Sequence, residues 1–127
     1  MTETELSRII AEAAQHVQRA VGGPGMQAKD YQHALGSELR SRGLKTGMRE
    51  VAPGTYNGVS IQTPVRIPLV VEDRVVVACY AEPRYAPRFE AEALAQLRLT
   101  GLKLALVINF GGRSIRDNIR RVLNNAG

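Results

Sequence analysis

The sequence predicts an α/β domain in which a mixed β-sheet, built from a meander and a crossover strand, is flanked by helices. Three observations lead there. Two segments with helical apolar spacing open the chain, a run of short β-rich segments fills its middle, and a further helix leads into a continuous apolar strand. A strand reached through a helical crossover runs parallel to its neighbour, whereas a meander is antiparallel, so the sheet is mixed. The length of 127 residues fits one domain, 1–127, with residues 1–23 expected as an N-terminal helix added to the core.

The first helix starts at a capping-box pattern, Thr2-x-x-Glu5, ahead of Leu6, Ile9, Ile10, Ala13, Val17, Ala20 and Val21 on one face. Gly22-Gly23-Pro24 ends it. The second helix carries Tyr31, Leu35 and Leu39 at i+4 steps and runs to Arg42, with Gly43 as its stop. The period then changes. Met48–Val51, Thr55–Gln62, Val65–Val71 and Arg74–Tyr80 read as strands, with turn signals at Pro53-Gly54, Asn57-Gly58 and Glu72-Asp73. Pro68 lacks an amide hydrogen and marks an edge position or a bulge. A third helix is expected over Pro87–Leu99 and a buried strand over Leu104–Phe110. A last helix is expected over Ser114–Leu123, with Ser114 as its N-cap.

Composition narrows the function classes. Hydrophobic residues make up 44% and charged residues 23%, which fits a packed globular chain and not a disordered one. No apolar run approaches the ~18 residues that span a bilayer, and the acidic, amphipathic start is unlike a basic-then-apolar signal peptide. A cytoplasmic protein without a membrane partner is therefore expected. The single cysteine, Cys79, cannot form an internal disulfide and reads as a core side chain. Residues 65–127 hold ten Lys/Arg and six Asp/Glu, against seven and six in residues 1–64, so the net charge of +5 comes from the second half. That bias is compatible with nucleic acid as a partner, and equally with a solvated basic face.

Two motifs carry a family resemblance. Gly25-Met26-Gln27-Ala28-Lys29-Asp30-Tyr31 lies at the start of the second helix. Leu97-Arg98-Leu99-Thr100-Gly101-Leu102-Lys103, followed by Val107-Ile108-Asn109-Phe110-Gly111, lies near the other end. Together they resemble the GxxExxY family, small proteins assigned to the PD-(D/E)XK nuclease-like fold, over about Val17 to Asn124. The resemblance implies the fold and also where catalytic groups would stand. The family's motif glutamate falls on Ala28, its aspartate on Pro68, its Glu-x-Lys pair on Ala78 and Tyr80, and a helix glutamine on Glu92. Such nucleases hold Mg²⁺ through converging carboxylates, and three of these positions offer no oxygen ligand. The resemblance thus implies a degenerate member with no catalytic residues, no metal and no cofactor.

Other chemistry is sparse. His16 and His33 have no cysteine or acidic cluster at ligand spacing, and the glycines at 22–25 lack the Lys-Ser/Thr ending of a phosphate loop. Glu82 and Glu92 are the carboxylates that could meet in the old cleft as a relocated metal site. Arg66, Arg74, Arg113, Arg116 and Arg120 are candidates for a nucleic-acid backbone, with the last three sharing a helical face. Tyr31, Tyr80, Tyr85 and Phe89 are candidates for an apolar interface where the catalytic cleft would have been. The leading expectation is a catalytically inactive, self-associating structural or scaffold protein. The alternatives are a non-cleaving nucleic-acid-binding protein and a metal-dependent nuclease with a relocated site.

Overall fold

Thr2 starts the first helix as its spacing requires. In the computed structural model, which describes residues 1–125, the Thr2 hydroxyl accepts from the Glu5 amide at 3.1 Å while the Glu5 carboxylate accepts from the Thr2 amide. Helix α1 runs Glu3–Ala20, and Leu6, Ile10, Ala13, Ala14 and Val17 form its buried stripe. Helix α2 runs Ala28–Ser41 and buries Tyr31, Leu35 and Leu39. Strand β1 follows at Thr46–Val51, then β2 at Gly54–Tyr56, β3 at Val59–Ile61, β4 at Val65–Val71 and β5 at Val75–Tyr80. Helix α3, Pro87–Thr100, leads to β6, Leu104–Asn109, and a 3₁₀ turn at Arg116–Asn118 leads to β7, Ile119–Leu123.

The main sheet has the order β1-β4-β5-β6-β7. It is mixed: β5 and β6 pair in parallel across the α3 crossover, and every other neighbouring pair is antiparallel. α1 and α2 cover one face, while α3 and the β2–β3 hairpin cover the other. β6 is buried along its whole length, as a strand covered on both faces must be. Among the described residues no helix is long and apolar enough to cross a membrane.

Two sequence expectations need correction. Thr55–Gln62 is not a strand of the meander. Asn57 and Gly58 both have positive φ (52° and 78°), the geometry of a tight two-residue hairpin turn, so the segment folds back as β2–β3 and β1 pairs directly with β4. The expected final helix over Ser114–Leu123 is a 3₁₀ turn and an edge strand instead. Ile115, Ile119 and Val122 have helical spacing, but the free edge of β6 is the stronger influence. Five residues from Leu104 to Ile108 pair with Leu123 to Ile119, satisfying backbone groups that would otherwise be buried without partners.

Pro68 does sit in a bulge. Gly47 pairs with Val70 and Arg49 with Ile67, so Pro68 and Leu69 together oppose Met48. β4 then pairs with β5 only at Val70–Val76 and Val71–Val75, and the rest of β5 pairs with β6 alone. The two strands fork apart beyond that point.

Candidate functional site

The two motifs that carry the family resemblance meet in the core. Tyr31 is fully buried in the α1/α2 layer, where its ring stacks on Phe110 at 4.5 Å. Its hydroxyl donates to the Gly23 carbonyl at 2.9 Å and accepts from the Met26 amide at 3.3 Å, pinning the turn between α1 and α2. Asn109, the last residue of β6, is also fully buried. Its Oδ1 accepts from the Glu82 amide at 2.9 Å and the Gly111 amide at 3.2 Å, and its Nδ2 donates to the Glu82 carbonyl at 3.0 Å and to Asn118 Oδ1 at 3.1 Å. The side chain thereby replaces a neighbouring strand for the segment after β5. Gly111 is required by proximity, since a Cβ there would lie 2.3 Å from the Glu82 carbonyl oxygen. Tyr31, Asn109 and Gly111 thus hold the backbone around them in place.

The positions that would carry catalysis are divided between two layers. Ala28 opens α2 and is partly exposed. Pro68 lines a groove of about 200 Å³ between α2 and β1, beside His33, Gly36, Arg40 and Met48. Ala78 and Tyr80 lie on the opposite face, against α3. Tyr80 stacks on Phe89 with ring centroids 3.9 Å apart, and Tyr85 meets Phe89 edge-on at 5.2 Å. Phe89 and Tyr31 are fully buried, so neither offers an interface, whereas Tyr80 and Tyr85 are partly exposed. Cys79, between Ala78 and Tyr80, turns to the α1/α2 layer, where burial pushes its thiol up to about 12 and leaves it neutral near pH 7.

At the rim of the aromatic group, Glu82 and Glu92 do come together, around Arg88. The guanidinium lies 3.1 Å from Glu82 and 3.6 Å from Glu92, and it also stands over the Phe89 ring at 4.9 Å. Glu92 accepts in addition from the Tyr80 hydroxyl at 2.6 Å. Burial first, and then this hydrogen bond, hold the Tyr80 phenol protonated well above the usual tyrosine range. The two carboxylates therefore share an internal cation in the place where a relocated metal would need to bind. Among the described residues no three His, Cys, Asp or Glu side chains gather at ligand distance. Arg88 was legible in sequence only as half of an i,i+4 pair with Glu92; its contact with Glu82 depends on how the loop after β5 turns.

The candidate arginines do not form one strip. With β7 a strand, Arg120 faces α3, standing 5.4 Å over the Tyr85 ring, while Arg116 and Arg121 face α1. Tyr85 has an enclosed hydroxyl without a hydrogen-bond partner among the described residues, and burial, followed by the nearby Glu90 carboxylate, raises it to about 12. Arg74 is held by Glu3 at 2.6 Å and by the Met1 carbonyl. Arg66 is exposed on β4, paired in register with Glu50, and Arg113 is exposed after β6.

The sequence matches the family model of the PD-(D/E)XK nuclease superfamily over residues 4–122. The chain belongs to that superfamily. The match begins within α1 and ends in β7, and it spans the forked β4–β5 hairpin. No curated protein and no solved structure matches the chain.

Proposed function

We propose that this PD-(D/E)XK chain acts without cleaving nucleic acid, as a self-associating structural protein. The observation that carries the reading is the outward surface of α3. At its first turns Arg88 occupies the Glu82–Glu92 carboxylate pair. Farther along, the helix and the β2–β3 hairpin frame an apolar groove of about 550 Å³ lined by Tyr56, Val59, Ile61, Leu94 and Leu99, and Val59 is 60% exposed. Apolar surface of this kind, left open, supports contact with another chain.

The charges favour a second copy as the occupant. Glu90, Leu94 and Arg98 stand at i, i+4 and i+8 on α3, and neither charged residue forms an ion pair among the described residues. An antiparallel α3–α3 contact with its two-fold axis at Leu94 sets Glu90 of each copy against Arg98 of the other. Ala91 and Ala95, which also line the groove, permit close approach of the backbones.

The test is the solution mass by light scattering at physiological salt, with nucleic acid removed, beside a cleavage assay on DNA and RNA with Mg²⁺ or Mn²⁺. A discrete multiple of 13.9 kDa and no cleavage are expected. A strict monomer overturns self-association, and metal-dependent cleavage overturns the non-catalytic reading. The net charge of +5, concentrated in residues 65–127, supports a second reading as a non-cleaving nucleic-acid-binding protein through the exposed arginines without an ion-pair partner among the described residues, Arg66, Arg113 and Arg116. Its signature is affinity that falls steeply between about 50 and 200 mM salt.

A further inference from the structure

We propose that the groove between α1 and β7 is a binding site for a phosphate ester. The groove encloses about 290 Å³, on the face of the sheet opposite α3. Three arginines from separate elements line it: Arg8 from α1, Arg116 from the 3₁₀ turn and Arg121 from β7. None of them forms an ion pair among the described residues, although Glu12 lies one helical turn beyond Arg8 and Asp117 adjoins Arg116. Most other arginines with partners in this chain lie against a carboxylate, as Arg42, Arg74 and Arg88 do, or over a ring, as Arg120 does.

Three cationic side chains lining one recess repel each other, and a dianion bound there offsets that repulsion. Arginine suits the role because its planar fork donates two parallel hydrogen bonds to phosphate oxygens. The frame behind the side chains is fixed. Arg121 sits opposite Leu106 in the β6–β7 register. Arg116 follows Ile115, which is buried in the core, and precedes Asn118, which bonds both Asn109 and the Ser114 carbonyl. The groove floor is apolar, from Ala11, Leu106 and Ile119. A phosphate at the rim and its organic body on the floor together match these features, which a bare inorganic anion would use only in part. The expected strip of Arg113, Arg116 and Arg120 missed this site because it assumed a helix where β7 sends alternate arginines to opposite faces.

Calorimetry on the full chain tests the assignment with three probes: a nucleoside 5′-monophosphate, the same nucleoside without phosphate, and a short single-stranded oligonucleotide. The phosphate-bearing probes are expected to bind, the nucleoside is not, and Arg116→Gln combined with Arg121→Gln is expected to weaken binding at least tenfold. Both positions are exposed, so the variant should fold, which its thermal melt checks. Arg84→Gln, exposed and outside the groove, should leave affinity unchanged. Oligonucleotide binding that is tighter than the monophosphate and lost with salt assigns the ester to a nucleic-acid backbone; comparable binding of the monophosphate assigns it to a free nucleotide. Absence of binding by both phosphate probes at millimolar concentration, or equal binding by the double variant, overturns the site. The solution mass of the double variant reports self-association separately, so the two proposals can fail independently.

Discussion

Replacing Asn109 with alanine tests whether the second motif is structural. The change removes four hydrogen bonds made by one fully buried side chain. Two of them satisfy the amides of Glu82 and Gly111, which would be left without partners, at about 1–3 kcal/mol for each buried unsatisfied group. The loop is only partly buried, so water recovers some of this loss. A destabilisation of about 3 kcal/mol is expected, a large share of the ~5–15 kcal/mol that holds a domain of this kind together. At roughly 3–4 °C per kcal/mol for a chain of this length, the melting temperature should fall by about 10 °C. Denaturant unfolding gives the free energy, and hydrogen exchange at the Glu82 and Gly111 amides shows where protection is lost. Tyr80–Phe110 backbone pairing, which does not involve the side chain, should persist in the folded variant. A loss below about 1 kcal/mol with unchanged amide protection would refute the reasoning, because it would mean that the side chain does not hold the segment after β5.

Gly111→Ala should destabilise by about 2 kcal/mol or more, since the added Cβ meets the Glu82 backbone and not a movable side chain; thermal melting reads this out. Arg88→Gln frees Glu82 and Glu92 from their shared cation, so Mn²⁺ should raise the melting temperature of this variant and leave the wild type unmoved. Glu90→Arg and Arg98→Glu each set like charges across the α3 two-fold and should shift the solution mass toward monomer, while the double exchange restores association; three variants with unchanged mass would exclude that contact. Stability should decline in alkali. The raised values of Cys79, Tyr80, Tyr85 and Lys45 mean that each keeps its proton longer in the folded chain, so their contribution is complete below their unfolded values, near 9 to 10.5, and is lost as pH rises through the folded ones. Glu3, Glu38 and Asp73 are lowered by hydrogen bonds, first from the backbone for Glu3, from Arg42 for Glu38 and from Lys45 for Asp73. They contribute above the usual carboxylate range and lose that contribution in acid, so a melt series across pH should fall at both ends.

The outcome at individual residues shows what kind of information the sequence held. Local patterns determined α1, α2, α3, the β4–β5 hairpin and β6, because capping at Thr2, i+4 spacing at Tyr31, Leu35 and Leu39, and a continuous apolar run at Leu104–Phe110 act over a few residues. The bulge at Pro68 was legible for the same reason, since the missing amide hydrogen is a property of the residue itself. The motifs also pointed to the PD-(D/E)XK fold before any contact was known.

Tertiary structure decided the rest wherever an outcome depended on a distant partner. Ile119–Leu123 is a strand because β6 presents an unsatisfied edge, which no local spacing reports. Tyr31 lies beneath Phe110 in the α1/α2 layer, away from Tyr80 and Phe89, because the sheet separates residues that motif alignment had placed together. Glu82 shares Arg88 with Glu92 in a segment whose backbone Asn109 holds, and Arg8 lines one groove with Arg116 and Arg121 because α1 packs alongside β6. Backbone propensity and apolar periodicity are written locally, so the sequence by itself determined the three helices, the β4–β5 hairpin and β6, but not the β2–β3 hairpin or β7. Which charged side chains meet depends on register and layer, and those are settled only when the sheet closes.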